Sequence, residues 1–371
     1  MGNFIVSARK YRPQIFDEVV GQASITTTLK NAIAKNHLAQ AFLFCGSRGV
    51  GKTTIARILA KTINCFNLSD TIEPCNSCES CSSFNEGHSF NILELDAASN
   101  NSVDDIRNVI DQVRIAPQVG KYKIFIIDEV HMLSAAAFNA FLKTLEEPPE
   151  HAIFILATTE KHKILPTILS RCQIFDFNRI KVEDIVAHLK DIAQKENIKA
   201  EEKALHIIAQ KADGALRDAL SIFDQIVSFS NADITYVSVI ENLNVLDYDY
   251  YFKVVEYALE SKINDNLLLF NTVLQKGFDA SQFLIGLAEH LRNLLVCKDE
   301  SSVKLLEVPD DIKTKYLEQA KNTSLTFLMI ALDLLRDTEV HYKASKNKRL
   351  HVEISLMKLS SIQTNLEKKK P

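Results

Sequence analysis

The chain has 371 residues, a formal net charge of −4 and an isoelectric point near 6.2, with 46% apolar and 24% charged residues. That length allows two or three domains, and the composition excludes a disordered or fibrous chain. No apolar run approaches a membrane span and the N-terminal residues lack the pattern of a signal peptide, so we expect a cytoplasmic protein with no membrane partner.

The first half of the sequence alternates between predicted strands and helices. Apolar runs at 41–46, 122–129 and 152–159 are typical of strands buried on both faces, and 90–97 is also strand-like. Residues 103–114 have helical spacing with acidic residues in the first turn. Alternating strands and helices predict a parallel sheet with helices on both sides, forming an α/β domain over residues 1–178.

A phosphate-binding loop follows the first predicted strand. Residues 46–53, GSRGVGKT, fit the pattern G-x-x-x-x-G-K-[ST] between a strand and a helix, a context that argues against a chance glycine-rich turn. The glycines let backbone N–H groups point at phosphate oxygens, while Lys52 reaches the β- and γ-phosphates and Thr53 ligates Mg²⁺. The residues expected to bind ATP here are Gly46, Ser47, Arg48, Gly49, Val50, Gly51, Lys52, Thr53 and Thr54.

Four of the seven cysteines lie in the stretch just after that helix. Cys65, Cys75, Cys78 and Cys81 have the spacing C-x₉-C-x₂-C-x₂-C. Four thiolates can close a tetrahedral zinc site with no position left for water, which predicts a structural site and not a catalytic one. A disulfide and an iron–sulfur cluster are the alternatives, although the run lacks the fourth cysteine and proline of a ferredoxin motif. The other cysteines are expected to be small buried hydrophobes.

An acidic pair ends the strand predicted at 122–129. Open α/β sheets bind ligands at the carboxyl ends of their strands, where Asp128 and Glu129 are expected to lie. We expect Asp128 to hold Mg²⁺ and Glu129 to orient and deprotonate the attacking water, so that the reaction is hydrolysis. The alternative is a pair of solvated carboxylates, which is common when no phosphate-binding loop lies upstream.

Two arginines are candidates for stabilising the transferred phosphoryl group. Arg171 follows the last predicted strand and helix of the α/β domain, and Arg217 lies in the helical region beyond it. A guanidinium can stabilise charge on a γ-phosphate in transit. Spacing alone favours the alternative for either residue, a surface ion pair.

Beyond residue 178 the predicted elements are helices. The pattern predicts a small helical domain at 179–242 and a larger one at 243–365, with an insertion at 65–81 in the first domain.

Six segments then carry a family resemblance: ARKYRPQIFDEVVGQ, GSRGVGKTTIARILAK, LDAASNNSVDDIR, IIDEVHMLSAAAFNAFLKTLEEPPE, ILATTEKHKILPTILSRCQIF and GALRDALS. Taken in order over about residues 4–230, they resemble the AAA+ motor subunits of bacterial DNA polymerase III clamp loaders, the gamma/tau family. The resemblance implies a P-loop AAA+ domain, a helical lid and an all-α C-terminal collar used for oligomerisation.

The resemblance also implies roles for particular residues. Arg171 becomes an arginine finger acting on ATP in a neighbouring subunit, and Arg217 a second sensor in the lid. Thr158 or Thr159 becomes the first sensor, and the family carries a zinc module where the four cysteines lie. The residues implied to flank the adenine are Pro13, Val20, Val50 and Leu216.

Partners follow from the same resemblance. It implies a pentameric hetero-oligomer with other clamp-loader subunits, which uses ATP to open a sliding clamp and load it onto primer–template DNA. Residues 97–105 are a candidate DNA contact or a plain helix cap. The competing hypotheses are a catalytically silent scaffold subunit, which typically lacks the loop lysine or the acidic pair, and a branch-migration motor, which leaves the cysteines and the SRC sequence unexplained.

Overall fold

The computed structural model describes residues 5–230, 232–243, 245–306 and 308–368. The chain divides into two compact units, one formed by 1–198 with 208–228 and the other by 199–207 with 229–371. Most of the predicted lid therefore shares a unit with the α/β domain. Residues 1–4, 231, 244 and 307 of the predicted domains lie outside the described residues, and the boundaries at 178 and 242 stay predictions.

A five-stranded parallel sheet forms the centre of the first unit, in the order β2-β3-β4-β1-β5. Its strands are β1 (Ala41–Cys45), β2 (Ile92–Asp96), β3 (Lys123–Asp128), β4 (Ala152–Thr158) and β5 (Gln173–Asp176). The predicted parallel α/β fold is confirmed. Successive side chains of β1 enter opposite cores, with Phe42 and Phe44 on one face and Leu43 on the other. This alternation explains why the central strands are apolar throughout.

Helices cover both faces of that sheet. On the face of Phe42 and Phe44 they are α2 (Ala23–Ala34), α3 (Lys52–Ile63) and α4 (Glu79–Asn85), and on the other face they are α5 (Val103–Val113), α6 (Ala135–Glu146) and α7 (Pro166–Leu169). The other helices in this part of the chain are α1 (Ser7–Lys10), α8 (Val182–Lys195), α9 (Glu202–Lys211), which is divided between the two units, and α10 (Leu216–Phe229). Ser102 begins α5 with a capping box, because its hydroxyl accepts from the Asp105 N–H and its own N–H donates to the Asp105 carboxylate. The helix-cap interpretation of 97–105 thus holds at Ser102, while DNA contact stays a prediction.

The second unit is helical apart from one short strand pair. Its elements are β6 (Lys199–Ala200), β7 (Asp233–Ile234), α11 (Tyr236–Asn242), α12 (Tyr248–Leu259), α13 (Ile263–Gln275), α14 (Ala280–Val296), α15 (Asp310–Asn322), α16 (Leu325–Tyr342) and α17 (Lys348–Lys368). Phe270, Phe283 and Phe327 are buried in its core. The sequence predicted only helices here; two-residue strands carry no periodicity, so β6 and β7 were missed. Within the described ranges, no helix is both long and apolar enough to cross a bilayer.

Candidate active site

The phosphate-binding loop joins β1 to α3. Gly46 has a φ of +152° and Gly49 a φ of +78°, backbone values that residues with a Cβ rarely adopt. A Cβ on Gly46 would lie 2.7 Å from the Phe177 carbonyl oxygen, and one on Gly49 would lie 3.0 Å from the Ala215 Cβ. Glycine is therefore required at position 46 by space and favoured at position 49 by backbone conformation and by the close approach of Ala215. Helix α3 begins at Lys52, which aims its N-terminus into the loop.

Lys52 is held inside that loop. Its side chain is buried, and Nζ donates to the carbonyl oxygens of Gly46 and Ser47, both at 2.8 Å. Burial lowers the pKa of Lys52, and the nearby carboxylates of Glu129 and Asp128 offset only part of that lowering. The loop ammonium and the acidic pair therefore belong to one electrostatic site.

A direct hydrogen bond connects the loop to the acidic strand end. Thr53 Oγ1 donates to Asp128 Oδ2 at 2.6 Å, and the Glu129 N–H donates to Asp128 Oδ1 at 2.9 Å. Asp128 is the last residue of β3, which places its carboxylate at the carboxyl edge of the sheet. The Thr53 hydroxyl and the Asp128 carboxylate are hard oxygen donors of the kind that Mg²⁺ prefers, so the donor set fits that ion.

Glu129 occupies a strained backbone conformation beside Thr159, one of the two first-sensor candidates. Its φ of 48° and ψ of 44° lie in the left-handed region, which is uncommon for residues other than glycine. Glu129 Oε2 accepts from the Thr159 N–H at 3.2 Å and from Thr159 Oγ1 at 2.9 Å. Thr159 therefore fixes the orientation of the carboxylate expected to act as the base.

The two first-sensor candidates make different contacts. Thr158 is fully buried, and its Oγ1 lies 3.1 Å from His131 Nδ1 and accepts from the Glu160 N–H at 3.0 Å. His131 Nδ1 also lies 3.4 Å from Glu129 Oε2. Thr158 thus connects to Glu129, the predicted general base, through His131, whereas Thr159 contacts Glu129 directly.

Residues of the predicted lid contact the phosphate-binding loop. The Arg217 N–H donates to the Gly49 carbonyl oxygen at 3.4 Å, so the start of α10, including Leu216, lies against the loop. Val50 is buried, and its carbonyl oxygen accepts from Gln22 Nε2 at 3.4 Å. Val20, two residues before Gln22, is half-buried. Pro13 is also half-buried. The predicted adenine-flanking residues therefore lie on segments bordering the loop, and their contact with adenine stays a prediction.

Arg171 lies on the surface instead. It follows α7 and is exposed, and its guanidinium donates to the Thr167 carbonyl oxygen at 2.6 Å and to Glu146 Oε1 at 2.8 Å. Its contacts within the chain thus match the surface ion pair that spacing favoured, and a role toward a neighbouring subunit stays a prediction.

Two residues near the site were missed by the sequence analysis. Arg12 Nε donates to Thr54 Oγ1 at 3.2 Å, and burial lowers the pKa of Arg12, with further lowering from Arg57. The only sequence signal for Arg12 was its place in the segment ARKYRPQIFDEVVGQ, which resembles the family. His131 follows Glu129 by two residues, and its position just after the end of β3 was the signal that could have identified it.

The four predicted zinc ligands come together. The Sγ atoms of Cys65, Cys75, Cys78 and Cys81 all lie within 4.8 Å of one another, and none of the four forms a disulfide. Backbone N–H groups donate to two of these sulfurs, from Cys75 to Cys65 Sγ at 3.3 Å and from Cys78 to Cys75 Sγ at 3.2 Å. Burial raises the pKa of Cys75, but the N–H donors of Ser77 and Cys78 outweigh it and lower that pKa to about 6. This spacing fits one tetrahedral ion bound by sulfur.

Comparison with known proteins matches three consecutive parts of the chain to protein families. Residues 21–181 match the family described as DNA polymerase III, delta subunit; residues 184–232 match the ATPase lid domain of the DNA polymerase III clamp loader subunit; and residues 234–371 match DNA polymerase III subunits gamma and tau domain III. Loop, acidic pair and lid together define a P-loop ATPase of the AAA+ class.

Similar proteins narrow that class to a family. The chain is 40% identical to DNA polymerase III subunit tau of Bacillus subtilis, over 95% of this chain and 62% of the relative. It is 35% identical to subunit gamma of Buchnera aphidicola subsp. Baizongia pistaciae, over 98% of both chains. The chain belongs to the gamma/tau family of DNA polymerase III clamp-loader subunits, and it spans less than two thirds of the length of the tau relative.

Solved structures show a weaker likeness. The Thermotoga maritima RuvB Holliday junction branch migration motor is 19% identical, with a TM-score of 0.48, over 73% of this chain and 86% of that chain. The family assignment depends on the sequence relatives and not on this likeness.

Proposed function

We propose that the chain is a motor subunit of the DNA polymerase III clamp loader, which binds and hydrolyses ATP to open a sliding clamp and load it onto primed DNA. The observation that carries the proposal is the 2.6 Å hydrogen bond from Thr53 to Asp128, because it unites the phosphate-binding loop with the acidic strand end. Relatives that serve as silent scaffolds typically lack one of these parts.

The residues divide the work of hydrolysis. Loop N–H groups and Lys52 bind the phosphates, and Arg217 reports their state to the lid. Thr53 and Asp128 would hold Mg²⁺, which when bound neutralises phosphate charge. Glu129, oriented by Thr159, accepts the proton of the attacking water.

Other parts of the proposal concern the assembly. Arg171 is exposed, so its guanidinium can serve a site on a neighbouring subunit of a pentamer. We further propose that the four cysteines hold a structural Zn²⁺, that the protein acts in the cytoplasm, and that the boundaries at 178 and 242 separate motor, lid and collar domains.

The test is the ATPase rate of the reconstituted complex, measured alone, with primed DNA, and with primed DNA and sliding clamp. We expect the rate to rise when DNA and clamp are both present. A complex that binds ATP but shows no DNA- or clamp-dependent turnover contradicts the motor function, and a chain that does not bind ATP contradicts the site itself.

A further inference from the structure

The cysteine-bearing insertion (65–81) contacts a segment that borders the nucleotide site. We call residues 5–18 the N-terminal strap. The buried carboxylate of Glu73, in the insertion, accepts from the strap N–H groups of Phe16 at 2.8 Å and Asp17 at 3.1 Å. These N–H groups begin a 3₁₀ turn and need acceptors from elsewhere. Glu73 also pairs with Lys30 Nζ at 2.6 Å, which neutralises the buried carboxylate.

A buried lysine makes a second connection. Lys61, on α3, is 2% exposed, and its Nζ donates to Gln14 Oε1 of the strap at 3.0 Å and to Asn76 Oδ1 of the insertion at 2.5 Å. Lys61 lies in the last turn of α3, which ends just before Cys65. Four thiolates around one divalent ion leave a net negative charge, and an ammonium bonded to Asn76, the neighbour of Cys75, can balance part of it.

The other contacts of the strap lead to the loop and the lid. Arg12 donates to Thr54 Oγ1 beside the phosphate-binding residues, and only Pro13 separates it from Gln14. Nearer its start, the Ser7 N–H donates to Asp224 Oδ2 of α10 at 2.7 Å. The strap therefore runs from the lid, past the loop, to the cysteine insertion.

We propose that the insertion is a clasp for this strap, so that Zn²⁺ and ATP bind with positive coupling through the positioning residues Glu73 and Lys61. The inference rests on the proposed ATP site. A bound ion would fix the insertion by joining four points of it, and the fixed insertion then holds the Glu73 carboxylate against the strap. When the insertion is loose, ATP binding must also order residues 12–17, which weakens its apparent affinity.

The experiment measures ATP affinity by calorimetry on the full chain, zinc-loaded and after chelation, for wild type and Glu73→Gln. We expect zinc removal to weaken ATP binding of the wild type about fivefold, the effect of roughly one lost hydrogen-bonded contact. Glu73→Gln should show a similar loss with zinc bound and little further loss without it, because both changes release the same contact. Asp17→Asn is the matched control: its exposed carboxylate pairs with the same Lys30 at 2.7 Å, and we expect wild-type behaviour.

Two further readouts separate positioning from folding. Hydrogen exchange of residues 12–17 should rise in zinc-loaded Glu73→Gln while the unfolding temperature changes little, and ATP should slow zinc release from wild type but not from the variant. If the chelated protein unfolds, Gln14→Ala at an exposed position is the second test, made with zinc bound. We expect it to raise hydrogen exchange of residues 12–17 and to weaken ATP binding.

Equal ATP affinity of folded wild type with and without zinc would overturn the coupling. Independent effects would overturn it too, that is, a loss of affinity in chelated Glu73→Gln equal to the product of the losses from zinc removal and from the substitution. If the chelated protein unfolds, unchanged exchange and ATP affinity in both zinc-loaded variants overturn it. Failure of zinc-loaded wild type to bind ATP instead refutes the proposed function.

Discussion

Glu129→Gln should separate ATP binding from ATP hydrolysis. Glutamine keeps the length of the side chain and an oxygen that can accept from the Thr159 hydroxyl and N–H, which lie 2.9 and 3.2 Å from Glu129 Oε2. We therefore expect the site to keep its shape, with a stability loss of only about 1 kcal/mol as a charged acceptor becomes neutral. An amide cannot take a proton from water at neutral pH, so the general base is lost.

Losing a general base slows turnover by about 10²–10⁴-fold, which corresponds to roughly 3–5 kcal/mol in the activation free energy. The assay is DNA- and clamp-stimulated turnover of the reconstituted complex, alongside calorimetric ATP affinity. The matched control is Glu160→Gln, because Glu160 also contacts His131, at 3.3 Å, and loses the same charge. We expect the control to stay within about threefold of wild-type turnover.

Two results would refute this reasoning. Turnover of Glu129→Gln within tenfold of wild type would show that another group activates the water. Equal losses in the two variants would show that charge near His131, and not the base itself, limits the rate.

Three further predictions concern other parts of the molecule. Lys52→Ala should weaken ATP binding by at least about 10²-fold, because two charge-assisted hydrogen bonds are lost, and unchanged affinity in a calorimetric titration would count against the loop assignment. Arg171→Ala should leave ATP affinity unchanged but stop stimulated turnover in the assembled complex; normal turnover there would remove its role toward a neighbouring subunit. Burial lowers the pKa of His290 to about 4, so the unfolded chain binds a proton that the folded chain does not between about pH 6.5 and 4. Stability of the second unit should therefore fall by up to about 3 kcal/mol as pH drops through that window, and His290→Gln should flatten the dependence in urea unfolding at several pH values; an equally steep dependence in the variant would contradict this source.

The sequence predicted the elements whose chemistry is local. The phosphate-binding loop needs glycines, a lysine and a hydroxyl at fixed spacing, and the acidic pair needs only a buried strand before it. Both were predicted, and the structure brings Thr53 and Asp128 into contact. The four cysteines also carried their own spacing, and their sulfurs lie together.

Elements that depend on distant partners were not predictable in the same way. Strand β5 has only four residues and exposes three of them, so no apolar run marks it, and pairing with β1 is what makes it a strand. Glu73 looks like a surface acid within a polar insertion, yet it is buried, because the N–H groups of Phe16 and Asp17, 57 and 56 positions earlier, donate to its carboxylate. Contacts of this kind belong to the tertiary structure and leave no local pattern.

The left-handed backbone at Glu129 has a consequence for how this position can change. A glycine there would relieve the conformational cost of about 1 kcal/mol and would suit the turn better. It would also remove the carboxylate that is proposed to accept the proton of the attacking water. The loss of the two hydrogen bonds from Thr159 would offset that relief, so glycine would bring little gain in stability while turnover by the proposed general base would stop. The uncommon backbone at position 129 is therefore explained by the proposed chemistry of its side chain and not by folding.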